Sequence, residues 1–278
     1  MVKALIIVSC FIAACCKAQE NVALQIVNGV PDTLGATISV HLPTTKISKR
    51  SAVIFCPGGG YSTIFYNEER RNVVDWLVQK GLCVFVLRYR HGGIKQYFPA
   101  PMDDVKTAMN WIQQNTLKYG IDSNKVGIMG TSAGGHLAAF AATRFNETKT
   151  VGSFKPLSFC VLLYPVLNLS DPTLAHEGSR KNLIGPRSDS AQVANALSIE
   201  QNIGGGTPPV FIVYGGDDKT TPPENGAVLY LALRRARIPV ELHLFQTGPH
   251  AFGLPVKDAL SASWNMLLEA WLKKQKIL

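Results

Sequence analysis

The sequence predicts an α/β fold: a mostly parallel central sheet, helices on both faces, and an insertion over the cleft at one end of the sheet. Three observations predict it. Short apolar runs of strand length alternate with helix-period segments along most of the chain, as crossovers that bury a parallel sheet on both faces require. Chemically active residue types fall just after several of these strands, where open α/β sheets bind ligands. A serine flanked by glycines, Gly130-Thr131-Ser132-Ala133-Gly134, joins an apolar strand to a small-residue helix.

The elements follow in order. Met1-Val2-Lys3 is a short basic start, and residues 4–14 are an apolar run too short to span a membrane. Together they read as a secretory leader. Ile12-Ala13-Ala14-Cys15 resembles a bacterial lipobox, which ends the leader at residue 14 and lipidates Cys15. Cys16-Lys17-Ala18 before Gln19 offers the competing exit, a small-residue cleavage site after residue 18. The expectation is an exported protein, periplasmic or secreted, or anchored to a membrane through Cys15. Residues 19–278 read as one domain.

Residues 23–27 and 36–42 alternate like the strands of an opening hairpin. Residues 52–56 form a continuous apolar strand that runs into Pro57-Gly58-Gly59-Gly60. Glu68–Gln79 sets Val73, Val74 and Leu77 at helical spacing and stops at Gly81. Residues 83–87 are the next strand. Residues 101–114 are a helix with proline near its start, Asp103 and Asp104 in its first turn, and Val105, Ala108, Met109 and Ile112 on one face. Strands at 126–129 and 159–164 flank the glycine-bracketed serine and its helix. The stretch 167–206 is too long for an ordinary loop. It holds a helical segment at 191–196 and His176-Glu177-Gly178-Ser179-Arg180, and reads as the insertion. A strand at 210–214, a helix over Glu224–Arg235, a strand over Val240–Phe245 and a helix at 258–274 complete the chain.

Hydrophobic residues make up 46% of the 278 and charged residues 17%, enough apolar surface for one large core. Of six cysteines, Cys10, Cys15 and Cys16 lie in the leader. Cys56, Cys83 and Cys160 are odd in number and sit in strand-like runs, so they read as free, buried small hydrophobes. No Cys/His cluster has zinc-ligand spacing, and no metal or cofactor is expected. The formal charge is +9, but Lys and Arg are scattered rather than interleaved with aromatics. That argues against a nucleic-acid partner.

Ser132 occupies the G-x-S-x-G turn that projects a nucleophile from a strand–helix junction. A serine hydroxyl needs a base, and histidine titrates near neutrality. Among six histidines, His243 lies inside a strand, whereas His250 sits in Gly248-Pro249-His250-Ala251-Phe252-Gly253, beyond the last strand, in a loop that can hang over the serine. The histidine needs a carboxylate to fix its tautomer, and one of Asp217 and Asp218, in the turn after strand 210–214, is placed to supply it. Backbone donors for an oxyanion are available at Gly59 or Gly60, paired with Ala133 after the serine. The glycine run lacks the G-K-[ST] ending of a phosphate loop. Tyr61, with Phe65 and Tyr66, is a candidate to stack on a substrate ring or line an acyl pocket, against ordinary cleft packing.

Several motifs recur in one order: Cys-Pro-Gly-Gly-Gly-Tyr at 56–61, Phe-Pro-Ala-Pro at 98–101, Gly-Thr-Ser-Ala-Gly-Gly-His at 130–136, His-Glu-Gly-Ser at 176–179, Asp-Asp-Lys-Thr-Thr-Pro at 217–222 and Gly-Pro-His at 248–250. In these the chain resembles the α/β-hydrolase fold serine esterases, in particular bacterial exported acetylxylan esterases and carbohydrate esterase-like esterase/lipase proteins, over about residues 51–274. The resemblance implies that fold, with Ser132 as nucleophile, Asp218 as acid and His250 as base. Asp218 is the aspartate in register with the family pattern, which leaves Asp217 to brace its turn through local backbone hydrogen bonds. Pro57 stands where the family often has histidine, and Thr221 where valine is common, a minor change.

The implied activity is carboxylic-ester hydrolysis through an acyl-enzyme, with acetylated plant polysaccharide, its oligosaccharides or a small ester as substrate. A feruloyl, other aryl or general short-chain esterase is the alternative. A peptidase of the prolyl oligopeptidase type fits less well, because the sequence holds no propeller-sized region before the domain. An inactive sugar- or protein-binding relative is disfavoured by the complete Ser/Asp/His set.

Overall fold

The computed structural model describes residues 20–27, 30–44, 49–145, 155–254 and 263–278. The leader expected over residues 1–18 lies outside them. The strands are β1 (Glu20–Ala23), β2 (Ile26–Val27), β3 (Val30–Pro31), β4 (Thr37–His41), β5 (Arg50–Cys56), β6 (Cys83–Arg88), β7 (Ile121–Thr131), β8 (Cys160–Leu163), β9 (Val210–Gly215) and β10 (Val240–Phe245). The helices are α1 (Glu68–Gln79), α2 (Ala100–Gln114), α3 (Thr116–Tyr119), α4 (Ser132–Arg144), α5 (Glu177–Ile184), α6 (Ala191–Leu197), α7 (Glu224–Arg235) and α8 (Trp264–Lys274).

Eight strands form one sheet in the order β1-β4-β6-β5-β7-β8-β9-β10, while β2 and β3 pair separately. The β1–β4 and β4–β6 ladders are antiparallel. From β6 to β10 every pairing is parallel. The central strands β8 and β9 are buried at every position, and β5 at all but its first residue. Their sequences run apolar without alternation because neither face meets water. Cys56, Cys83 and Cys160 are free and buried within or at the ends of these strands.

The opening strands differ from expectation. Residues 23–27 do not form one strand, because β1 ends at Ala23 and β2 begins at Ile26. Gln25 lies at the break and uses its side chain where a ladder would use the main chain. Its Oε1 accepts from the Ala36 N–H at 2.5 Å, and its Nε2 donates to Asp104 Oδ1 at 2.8 Å. Asp104 is fully buried in α2 and also takes the Arg90 guanidinium and the Arg90 backbone N–H, both at 2.7 Å. This cluster ties the opening hairpin to the helix. The short helix α3 was not expected, and Gly120 ends it in the left-handed conformation at φ 64°.

Helix α4 starts at Ser132 and is buried from Ser132 to Thr143. It packs on β7 and β8 and against α2, so its run of Ala and Gly reflects crowding on all sides. Tyr61 requires a correction. It is fully buried and presents no ring surface to a substrate. Its hydroxyl lies 2.9 Å from His136 Nδ1, and His136 Nε2 lies 2.9 Å from the Leu197 carbonyl. A carbonyl only accepts, so Nε2 carries the proton and Nδ1 accepts from Tyr61. One network therefore joins the glycine loop, the serine helix and the insertion.

Burial lowers the His136 imidazole from 6.5 to about 4. The folded protein holds it neutral, whereas the unfolded chain protonates it near its ordinary pKa. Its contribution to stability is therefore present above pH 6.5 and lost as pH falls toward 4. The loss across that window is on the order of 3 kcal/mol. Thermal midpoints recorded from pH 7 to 4 are expected to fall less steeply in His136→Gln than in the wild type. Parallel curves contradict the assignment.

Candidate active site

Strand β7 passes into α4 with no intervening loop, and Ser132 takes the turn at φ 53°. A non-glycine residue in this left-handed region carries strain of roughly 1–3 kcal/mol. Surrounding contacts hold it there. The Ser132 carbonyl accepts from the Val166 N–H at 3.0 Å. The neighbouring Thr131 hydroxyl oxygen accepts from the Gly58 N–H at 2.9 Å, which docks the glycine loop on the turn. Gly134 is required by close approach, since a Cβ there would overlap the Cys56 and Pro57 carbonyl oxygens.

The Ser132 Oγ lies 3.0 Å from His250 Nε2, and His250 Nδ1 lies 2.7 Å from Asp218 Oδ2. The Asp218 side chain is buried completely. Its Oδ1 accepts from the Thr220 and Thr221 N–H groups at 2.9 and 2.8 Å, and its Oδ2 from the Thr221 hydroxyl at 2.8 Å. Burial pushes this carboxyl up, but His250 and the Thr221 donors more than offset it and hold Asp218 below its ordinary pKa. An ionised Asp218 only accepts, so the His250 proton sits on Nδ1 and the Nε2 lone pair faces the serine. Tyr164 packs edge-on against the His250 ring at 5.0 Å between centroids, and Phe252 packs on Tyr164 at 4.7 Å.

The two aspartates have different surroundings. Asp217 is exposed and accepts from the Gly248 N–H at 3.2 Å. It braces the histidine loop rather than its own turn, because β9 and β10 are parallel neighbours whose following loops meet. Thr221, read in the sequence as a minor departure, touches both partners: its Oγ1 lies 2.8 Å from Asp218 and 3.1 Å from His250 Nδ1. A hydroxyl three residues after the acid was the available signal, since such side chains habitually close local turns.

The three carbonyls of the glycine loop are all engaged. Gly58 O accepts from Phe65 N–H at 2.8 Å, and Gly59 O from Ser62 N–H at 3.0 Å. Gly60 O accepts from Asn182 Nδ2 at 2.9 Å. The N–H groups of Gly59 and Gly60 donate to no described group. Ala133 lies in the first turn of α4, where N–H groups have no intrahelical partner. Gly59 needs its residue type, with φ 141° and no room for a Cβ beside the Thr63 carbonyl. Of the aromatic residues in this loop, Phe65 is 54% exposed, Tyr66 half-buried and Tyr61 buried.

The structure thus brings Ser132, His250 and Asp218 into one hydrogen-bond chain, with the glycine loop docked on the serine turn through Gly58 and Ala133 following Ser132 in the first turn of α4. It removes Tyr61 from the cleft surface. A hydroxyl, an imidazole, a buried carboxylate and unengaged amides are the parts that acyl transfer requires.

A family model for BD-FAE matches residues 38–233. The chain is 31% identical over 243 residues to an acetylxylan esterase of Xylanibacter ruminicola, covering 84% of this chain and 47% of that protein. It is 31% identical over 227 residues to endo-1,4-beta-xylanase B of Butyrivibrio fibrisolvens, covering 78% and 34%. The chain therefore spans about half or less of these relatives. Among solved structures, the acetyl ester-xyloside bifunctional hydrolase of Caldicellulosiruptor lactoaceticus superposes with a TM-score of 0.82 at 28% identity, covering 94% of this chain and 98% of that one. The fold is that of the α/β-hydrolases.

Gly134→Ala is expected to lower the unfolding free energy by about 3 kcal/mol, as overpacking against rigid backbone does. Urea denaturation measures this. A change below about 0.5 kcal/mol, the range of neutral surface substitutions, contradicts the close-approach argument.

Proposed function

This chain belongs to the BD-FAE family, and from that premise we propose that it is a serine carboxylic-ester hydrolase that deacetylates plant polysaccharide or its oligosaccharides. The observation that carries the reading is the unbroken hydrogen-bond chain from Ser132 through His250 to Asp218.

In the proposed reaction, His250 Nε2 takes the Ser132 proton as Oγ attacks the ester carbonyl carbon. Asp218 stabilises the imidazolium and holds its orientation. The carbonyl oxygen becomes an anion, stabilised by Ala133 N–H with Gly59 or Gly60 N–H, a contribution of about 3 kcal/mol per donor in related chemistry. The tetrahedral intermediate collapses, the ester C–O bond breaks, and His250 delivers its proton to the departing alcohol oxygen. An acetyl–Ser132 ester and free sugar hydroxyl result. Water, deprotonated by the same imidazole, then attacks the acyl-enzyme and releases acetate and the serine hydroxyl.

The acetyl-sugar substrate is supported by the names of the similar proteins and by Phe65, the loop aromatic left open to stack on a sugar ring. Export through the leader read in residues 1–18, or anchoring through lipidated Cys15, belongs to the same proposal and suits a polymeric substrate. The test is acetate release from acetylated xylan and from 4-nitrophenyl acetate. Both activities are expected in the wild type and lost in Ser132→Ala. Wild-type inactivity on both, or turnover retained in Ser132→Ala, overturns the reading.

Asp218→Asn keeps the side-chain shape but removes the charge facing His250. It is expected to lower kcat by up to about 10⁴-fold, the scale seen for the same change in a serine protease. Asp217→Asn is expected to cost about 1 kcal/mol of stability through the Gly248 contact, with little kinetic loss. Comparing kcat and thermal midpoint for the two variants decides the assignment, and the reverse ranking overturns it. Acetate esters are also expected to exceed butyrate esters by about tenfold in kcat/KM, because methylenes that do not fit lose binding and add strain. Equal rates on the two argue for a longer acyl pocket.

A further inference from the structure

One group in the cleft has no part in the scheme above. His176 precedes α5, in the insertion, and is half-buried. Its Nδ1 accepts from the Ser179 N–H at 3.1 Å, with the Ser179 hydroxyl 2.8 Å from the same atom. An Nδ1 that accepts is unprotonated, so in the neutral ring the proton sits on Nε2. That Nε2 makes no hydrogen bond to a described residue and is not sealed from solvent.

The ring is placed beside the glycine loop. A Cβ built on Gly60 would lie 3.9 Å from His176 Cε1. Asn182, on the same helix, fixes the approach by donating to Gly60 O at 2.9 Å. His250 and Asp218 both act on the His176 charge. Burial is the larger influence; it and the His250 proton disfavour the charged ring, against a smaller pull from Asp218, so its pKa is lowered. His176 is thus a neutral donor beside Gly60, with a ring N–H that no described residue engages. A helix cap needs only the Nδ1 side of the ring and leaves the placement of Nε2 without a role.

We propose that His176 is a specificity-determining residue: its Nε2–H donates to the oxygen of a free hydroxyl next to the scissile ester, selecting esters of polyhydroxylated alcohols over esters of simple ones. Two features of the place support a hydroxyl as the partner. The alcohol half of the ester must lie near His250 Nε2, which protonates it, and His176 is close enough to His250 for that charge to act on it. A neutral donor is satisfied by a hydroxyl oxygen and imposes no requirement for charge on the substrate. This rests on the esterase reading.

The experiment separates the two ends of the ring. Asn at 176 places an acceptor where Nδ1 lies and nothing where Nε2 lies. Gln reaches the Nε2 position but does not reproduce the cap. The kcat/KM values for a methyl xyloside bearing one acetyl beside a free hydroxyl, and for ethyl acetate, are measured for the wild type, His176→Asn and His176→Gln, with thermal midpoints. The loss in His176→Asn is expected to be about tenfold greater for the sugar ester than for ethyl acetate, carried mainly by KM, the scale set by leaving one polar group unpaired. Its thermal midpoint is expected to stay nearer the wild type than that of His176→Gln, which keeps more of the preference. Equal losses on the two esters in His176→Asn, or a preference that follows thermal midpoint across the variants, reduce His176 to a cap and overturn the proposal. Failure of the esterase reading is distinct, because it appears as absent wild-type turnover or as turnover retained in Ser132→Ala.

Discussion

The short hydrogen bond between buried Asp218 and His250 sets the geometry on which the site depends. Asp218 has lost its water and replaced it with two backbone N–H groups, one hydroxyl and the imidazole. That donor set keeps a buried carboxylate ionised. The ionised carboxylate fixes the proton on His250 Nδ1, and this in turn aims a lone pair at Ser132. Each step follows from the preceding one. None requires His250 to be held by its own loop alone, although Asp217 and Tyr164 steady that loop from either side.

The serine side of the cleft is constrained by space rather than charge. Ser132 is held in a left-handed turn because β7, α4 and the glycine loop meet there without room for larger groups. The same crowding buries Tyr61 and His136, and their hydrogen bonds carry the glycine loop, the serine helix and the end of α6 as one unit. The insertion is thus fastened to the cleft through Leu197 to His136 and through Asn182 to Gly60. This arrangement places a buried imidazole one helical turn from Ser132.

Much of this was legible in the sequence, for identifiable reasons. Strand–helix alternation follows from burial on two faces, so β5, β6, β8 and β9 appear as apolar runs and α1 and α2 as helical stripes. The serine turn and the histidine loop are short and local, and their residue types suffice to locate them. What escaped depends on neighbours distant in sequence. At Gln25 the strand breaks where one side chain bonds Ala36 and Asp104 together, accepting from the first and donating to the second. Tyr61 sits beside the loop glycines in sequence, but its backbone at φ 55° turns the ring into the core toward His136. Asp217 reaches Gly248 through the pairing of β9 with β10, a tertiary fact that no local spacing encodes. Thr221 was visible as a residue and misjudged as a role, because its value lies in a hydroxyl aimed at a carboxylate three positions away.

The central claim is that Ser132 is made nucleophilic by a histidine whose orientation Asp218 fixes. Its most direct measurement uses paraoxon, which phosphorylates a serine only where that serine is activated. The wild type, Ser132→Ala and His250→Ala are each treated with the reagent, then followed by intact mass and peptide mapping. The account predicts one diethylphosphoryl group per wild-type chain, on the peptide containing Ser132, with activity lost in step. It predicts no adduct in Ser132→Ala and a strongly slowed adduct in His250→Ala. A wild-type chain that stays unmodified, is labelled elsewhere, or reacts equally fast without His250 contradicts it.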